Sequence, residues 1–331
     1  MNENHPKINF GKTGILLINL GTPDSTDWWD IRKYLKEFLS DRRVIEVNPI
    51  IWQVILNLFI LTFRPSKTAK AYKEIWMNDI NKSPLRFYTE MQSKKLSERI
   101  KNENLIVDFA MRYGNPSISS KIEGMQKKGC ENLIIFPLYP QYASPTTATV
   151  CDEVFRVLMK MRWQPTIQIV PHYESEPLYI DALVKSINKK LTEINWKPDL
   201  IVASYHGIPK KYFEKGDPYH CYCQKTTRLI SEKFKEIKIV TTFQSRFGPQ
   251  EWLKPYTDKT LEDLPKEGIK KVLVISPGFS SDCVETLEEI SIQGKESFKK
   301  FGGEKFGFIP CLNDSDDHIK LLEYLVKKIL N

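Results

Sequence analysis

The chain has 331 residues, 41% of them hydrophobic and 11% aromatic, which is globular composition with length enough for two domains and excludes a disordered chain. Its 49 basic and 41 acidic residues leave a net charge of +8, spread without a basic block, zinc-finger spacing or RNA-binding motif. That balance excludes an obvious nucleic-acid binder and suits an anionic small molecule or a membrane surface.

The amino-terminal stretch MNENHPKINFGKTG has no apolar core of signal-peptide length, which predicts a cytoplasmic protein. A first β-branched run, ILLINLG (15–21), reads as a buried strand turned by Gly21-Thr22-Pro23. Residues 22–104 then hold an insertion of several helices. Within it, 50–63 is almost wholly apolar and as a helix spans about 21 Å, short of the roughly 30 Å of a hydrocarbon core, with Gln53 and Asn57 interrupting it. Flanked by Arg42, Arg43, Arg64, Lys67 and Lys70, this run is either a core helix or a lip dipping into an anionic bilayer surface. The lip reading expects Trp52, Leu56 and Phe59 to be partly exposed.

LIVDFAMRYG (105–114), NLIIFPLYP (132–140) and TIQIVPHY (166–173) complete a first set of four strands. DLIVASYHG (199–207), IKIVTTFQS (237–245), KKVLVISPG (270–278) and FGFIPCL (306–312) form a second. Strands alternating with helical patterns predict an α/β protein, with two similar domains whose parallel sheets are covered on both faces. Reactive groups in such sheets gather beyond the carboxyl ends of the strands. Neither GxGxxG nor a GxxxxGK[ST] loop follows any of them, which argues against nucleotide binding.

One strand ends in SYHGIP (204–209), placing an imidazole at a strand end beside a glycine. His206 there is either a satisfied strand-end histidine or a fixed base or ligand. Residues 280–290 read as a capped helix, and at about 100° per residue Asp282, Glu285 and Glu289 fall in one sector of about 60°. Three carboxylates on one face are a solvated surface, favoured by the helix dipole, or the far wall of a cleft shared with His206. The second arrangement binds a divalent cation and takes up protons. Trp28, Trp29, Tyr113, Tyr142 and Trp252, with Arg112 and Arg246 among them, would suit a flat apolar ligand bearing anionic substituents. The six cysteines, at 130, 151, 221, 223, 283 and 311, form no disulfide framework, and His220-Cys221-Tyr222-Cys223 lacks a second cysteine pair to complete a metal site.

The blocks LINLGTPD (17–24), FPLYPQYASPTTA (136–148), SYHGIPKKYFEKGDPY (204–219), TTFQSRFGPQEWLKP (241–255) and SPGFSSDCVETLEEI (276–290), in this order, resemble the ferrochelatase family. The resemblance implies insertion of Fe2+ into protoporphyrin IX, with no nucleic-acid partner and no cofactor beyond the substrate iron. It implies two Rossmann-like domains with the active site in the cleft between them. The first would cover 14–165, with a lip insertion at about 28–80. The second would cover 166–331, its last helix, 315–330, packing back across the domains. It further implies that 50–63 lets the protein associate peripherally with the inner face of the membrane. By position, His206 and Glu285 resemble the iron-site pair, and Asp282 and Glu289 an acidic line leading away from it. Arg112, Tyr113, Trp252, Leu20, Tyr142 and Ser83 are the implied substrate contacts. Cys283 stands where some members carry a second histidine, and Asn81-Lys82 where many have glycines. The four cysteines of the iron–sulfur cluster found in some members cannot be assembled. Alternatives are a chelatase for coproporphyrin III or another tetrapyrrole, and a non-catalytic haem-binding protein. A nicotinamide-dependent oxidoreductase lacks its glycine fingerprint.

Overall fold

The computed structural model describes residues 10–330, so most of the amino-terminal stretch lies outside the described residues. The β-branched runs form two four-stranded sheets. β1 (Lys12–Thr22), β2 (Leu105–Gly114), β3 (Cys130–Pro137) and β4 (Thr166–Ile169) pair in parallel in the order β2-β1-β3-β4. β5 (Leu200–His206), β6 (Lys238–Gln244), β7 (Lys271–Ile275) and β8 (Lys305–Ile309) pair in parallel in the order β6-β5-β7-β8. The winding is the same in both halves. Parallel pairing forces each connection to cross a sheet face, which is why both faces are covered and Ile15, Leu16, Leu17 and Ile18 are all buried.

In the first half the crossings are α1 (Trp28–Leu39), α2 (Pro49–Ile55), α3 (Leu61–Ile75), α4 (Pro84–Ile100), α5 (Ile118–Lys127) and α6 (Thr149–Leu158). In the second they are α7 (Pro177–Glu193), α8 (Lys210–Glu214), α9 (Tyr219–Ser231), α10 (Thr257–Asp263) and α11 (Lys295–Lys300), followed by α12 (Asp316–Leu330). Ile15, Leu17 and Phe136 of the first sheet share one core with Tyr205 and Leu273 of the second, bridged by α7 and α12. Helix α12 also packs on α4, where Arg99 pairs with Asp316 and Glu323.

Residues 50–63 do not stop where the apolar run stops. A π-helical turn, Leu56–Ile60, joins α2 and α3, so one rod runs through Pro49–Ile75, long and apolar enough by length and composition to cross a membrane. Its surroundings argue otherwise. Leu56, Leu61, Pro65, Ala69 and Tyr72 are buried on one side, all but Pro65 in a cluster with Ile31 and Leu35 of α1 and Tyr113 of β2. The opposite side exposes Ile50, Ile51, Val54, Leu58, Phe59 and Phe63. Core helix and exposed lip are thus two faces of the same rod, and Leu56, expected to be exposed, belongs to the core face at 0% exposure.

At the carboxyl end of β1 the strands close tightly. Gly21 pairs with Tyr113 at φ +118°, and a Cβ there would lie 1.8 Å from the Tyr113 carbonyl oxygen. Asn81 takes φ +48° in the loop before α4, and its side chain accepts from Trp76 Nε1, so a residue tolerant of the left-handed region stands where the resemblance expects glycine.

Candidate active site

His206 is the last residue of β5, in register with Gln244 at the end of β6. The Gly207 amide donates to the Gln244 carbonyl at 2.8 Å, and a Cβ on Gly207 would meet that oxygen at 2.8 Å and Trp252 Cε3 at 3.1 Å. Glycine therefore lets the chain turn beneath Trp252. The half-buried imidazole places Nδ1 2.6 Å from the Gly207 carbonyl oxygen. A carbonyl only accepts, so the proton of this contact sits on Nδ1 and Nε2 keeps a basic lone pair.

Glu285 and Glu289 come from a ten-residue π-helix, Glu285–Gly294, rising after β7. Its wider turn is seldom stable alone and recurs at functional sites. Glu289 is gripped by Ser245, whose amide donates at 2.8 Å and whose hydroxyl also donates to the carboxylate. Ser245 adopts φ +63° to do so. Gln244 Nε2 donates to the Glu285 carbonyl at 2.7 Å, tying the helix to the end of β6. Burial pushes the Glu289 carboxyl above its ordinary range; the Ser245 donors and the His206 imidazole pull it down, and the Glu285 charge raises it. His206, Glu285 and Glu289 thus act on one electrostatic site.

The facing wall comes from the insertion. The Arg64 guanidinium lies 4.7 Å over the Phe247 ring, and its Nη1 is buried without a hydrogen-bond partner among the described residues. Burial lowers its pKa, opposed by Tyr34 and Glu285. Burial also raises the phenols of Tyr34, Tyr72 and Tyr139, and the Glu285 charge raises each further. Tyr139 Oη and Thr22 Oγ1 are likewise buried and unpartnered. Aromatic faces, an unanswered cation and a carboxylate thus meet along one seam. Among the described residues, no three His, Cys, Asp or Glu side chains converge as a resident metal site.

The ferrochelatase family profile matches residues 12–330. Ferrochelatases of Allorhizobium ampelinum and Rhizobium meliloti are each 56% identical to the chain, over 98% and 99% of it and 96% and 98% of their own lengths. The chain belongs to the ferrochelatase family. Among solved structures, SirB from Bacillus subtilis with Fe3+ matches with a TM-score of 0.57 at 13% identity, covering 96% of this chain and 95% of that one. The sirohydrochlorin chelatase SirB in complex with cobalt matches at 0.56 and 10% identity, covering 96% and 94%. At such identities the likeness is one of fold.

Several residues that the sequence reading or the ferrochelatase resemblance brings to the site make other contacts in this structure. Asp282 is 3% exposed and precedes the helix, which starts at Val284, so the angular argument that aligned it with Glu285 does not apply. Its carboxylate accepts from Asn313, Cys311 and Thr286. Arg112 donates to Asp41 at 2.5 Å and to Thr149, and the Tyr113 hydroxyl donates to the same Asp41 carboxylate, so this pair anchors the insertion to β2. Arg246 pairs with Asp258. Ser83 caps α4 by accepting from the Arg86 amide. Tyr142 lies in the field of Arg43, Asp217 and Asp152, and Trp29 is 72% exposed. Two others sit close to the seam. Leu20 packs in the cluster that contains Val284, and Trp252 Nε1 donates to the carbonyl of Phe247, the residue under Arg64. Sequence reasoning missed Tyr34 and Tyr72 and took Arg64 for a flanking charge. The one local signal was an arginine eight residues before a tyrosine on the buried side of an apolar helix.

Proposed function

We propose that the chain inserts Fe2+ into protoporphyrin IX with release of two protons, using His206 and Glu285 as the metal-handling pair. One observation carries this: a basic Nε2 fixed at a strand end, sharing an electrostatic site with two carboxylates, opposite an aromatic wall holding an unpaired guanidinium. Iron is held by Nε2 and the Glu285 carboxylate while the imidazole is neutral. When the pyrrole nitrogens take the metal, the vacated Nε2 accepts one pyrrole proton and the carboxylates accept the other. Ligand and base roles follow one another, because a protonated imidazole cannot bind metal. A propionate would answer Arg64 Nη1 with a charge-assisted bond. Tyr34 and Tyr72 are buried, so the macrocycle enters as the insertion moves outward, its binding energy bending the ring and exposing the nitrogen lone pairs. No cofactor beyond the substrate iron enters the scheme.

Anaerobic incubation of the purified protein with protoporphyrin IX and ferrous iron, followed by haem absorbance, tests the reading, with coproporphyrin III in parallel. Haem should form faster from protoporphyrin, whose poor solubility suits an apolar lip. A faster reaction with coproporphyrin would overturn the substrate, and no metallation of either would overturn the activity.

We place the protein peripherally on the inner face of the membrane, held by the exposed face of α2 and α3. Phe59→Ser or Phe63→Ser should reduce partition onto anionic vesicles and raise the KM for porphyrin, with little change in Tm, since both rings are exposed. Leu56→Ser should instead lower Tm, because opening a cavity and burying a hydroxyl costs about 2–5 kcal/mol. Unchanged vesicle binding in both phenylalanine variants would remove the lip from the membrane.

A further inference from the structure

We infer that Asp282 is a positioning residue that clamps the start of the π-helix to the loop after β8, a loop that Gln92 ties in turn to the first half of the protein, and not a member of the acidic line. The inference rests on the assignment of Glu285 to the metal. Asp282 Oδ2 accepts from Asn313 Nδ2 at 2.7 Å, while Oδ1 accepts from the Cys311 amide at 3.2 Å and the Thr286 hydroxyl at 3.0 Å. The Asp282 amide donates back to Asn313 Oδ1 at 2.8 Å. Residue 286 is fully buried and directly follows Glu285, so the carboxylate fixes the first turn of the helix against the loop after β8.

That loop is held in turn. Asn313 adopts φ +48°, and its carbonyl accepts from His318 Nδ1 at 2.5 Å and from Gln92 Nε2 at 2.9 Å. Gln92 belongs to α4 of the first half, is 0% exposed, and its amide also reaches Ser281 Oγ at 2.9 Å and the Ser280 carbonyl at 3.2 Å. His318 is buried, its pKa lowered to about 4 mainly by that burial, so at neutral pH it is a neutral Nδ1 donor. A chain of buried and partly buried hydrogen bonds therefore runs from α4 through Asn313 and Asp282 to the residue beside Glu285. A π-helix has poorer internal hydrogen bonds than an α-helix, so its register needs fixing from outside. A proton relay must take up and release a proton. A proton on Asp282 would face the N–H groups of Asn313 and Cys311, donor against donor.

The pattern permits an exchange test. In Asp282→Asn the new Nδ2 faces Asn313 Nδ2. In Asp282→Asn with Asn313→Asp the side-chain bond between the two positions is re-formed with donor and acceptor reversed, the bonds from the Cys311 amide, the Thr286 hydroxyl and the residue 282 amide keep their direction onto side-chain oxygens, and the carboxylate has left position 282. Asn313→Gly keeps Asp282 but removes its partner, and glycine tolerates the positive φ. With zinc as the metal, Asp282→Asn and Asn313→Gly should each lower kcat about tenfold or more with porphyrin KM within about twofold, and the exchanged pair should return to within about threefold of the unmodified protein. Amide hydrogen exchange over 282–290 should quicken in both single variants and slow again in the exchanged pair. An exchanged pair that folds and protects this segment yet stays as inactive as Asp282→Asn would show that the carboxylate itself is used at 282. Unaltered exchange in both single variants would remove the clamp. Because exchange is read without turnover, failure of the metal-insertion reading and failure of the clamp are separable.

Discussion

Replacing His206 by Ala is expected to abolish metal insertion while leaving the protein folded and able to bind porphyrin. The side chain is half-buried, and its one hydrogen bond among the described residues is to the carbonyl of its own neighbour, Gly207, which water can satisfy once the ring is gone. Among the described residues its side chain makes no hydrogen bond to a distant part of the chain, so the change in Tm should be small. Chemistry is another matter. Nε2 is the basic nitrogen of the site, and loss of a positioned base lowers turnover by roughly a hundred- to ten-thousand-fold. Zinc in place of iron gives a fluorescent product free of oxidation, so kcat can be followed directly. Turnover near normal in a folded His206→Ala protein would remove this residue from the mechanism.

What the sequence made legible follows from which interactions are local. Both sheets could be read because parallel strands are buried on two faces and appear as unbroken β-branched runs, as in Ile15-Leu16-Leu17-Ile18. Glu285 and Glu289 stay neighbours whether the turn is α or π, because residues four apart remain close in either. Asp282 fails the same test for a local reason. The helix begins two residues later, and the side chain bonds to the backbone and side chains of loop 311–313 instead of lying on a helical face. The ion pair of Arg112 was illegible for a long-range reason: its partner Asp41 is 71 residues away, and no periodicity reports such a pair. Arg64 shows the converse. Its value to the site is the absence of a partner for Nη1, which only the fold displays. The apolar run from 50 to 63 could not reveal which of its faces was covered, because nearly every position is hydrophobic and periodicity vanishes when both faces are apolar.

Glu285→Gln should come close to His206→Ala in effect, with turnover down by about a hundredfold or more, whereas Glu289→Gln should cost on the order of tenfold. Amides keep the volume and remove the charge, so cavity effects do not confuse the comparison. The difference follows from what each carboxylate faces. The Glu285 charge is felt by Arg64, Tyr34, Tyr72 and Tyr139, the wall against which a macrocycle would lie. Glu289 lies a turn further along, held by Ser245. A second measurement shows whether Glu289 is maintained as a charged group against its surroundings. Burial raises its carboxyl above the ordinary 4.5, so the native state binds this proton more tightly than the unfolded chain. Its stabilising contribution is complete below the unfolded value and is lost as pH rises through the folded one. Glu289→Gln should therefore match the unmodified protein in Tm near pH 4 and exceed it progressively as pH rises through that window, even as activity falls. A variant that loses activity and gains stability marks a carboxylate kept for chemistry at the expense of the fold. Equal inactivity in both variants would show that the two carboxylates work as one unit, and a Tm difference independent of pH would show that Glu289 carries no such strain.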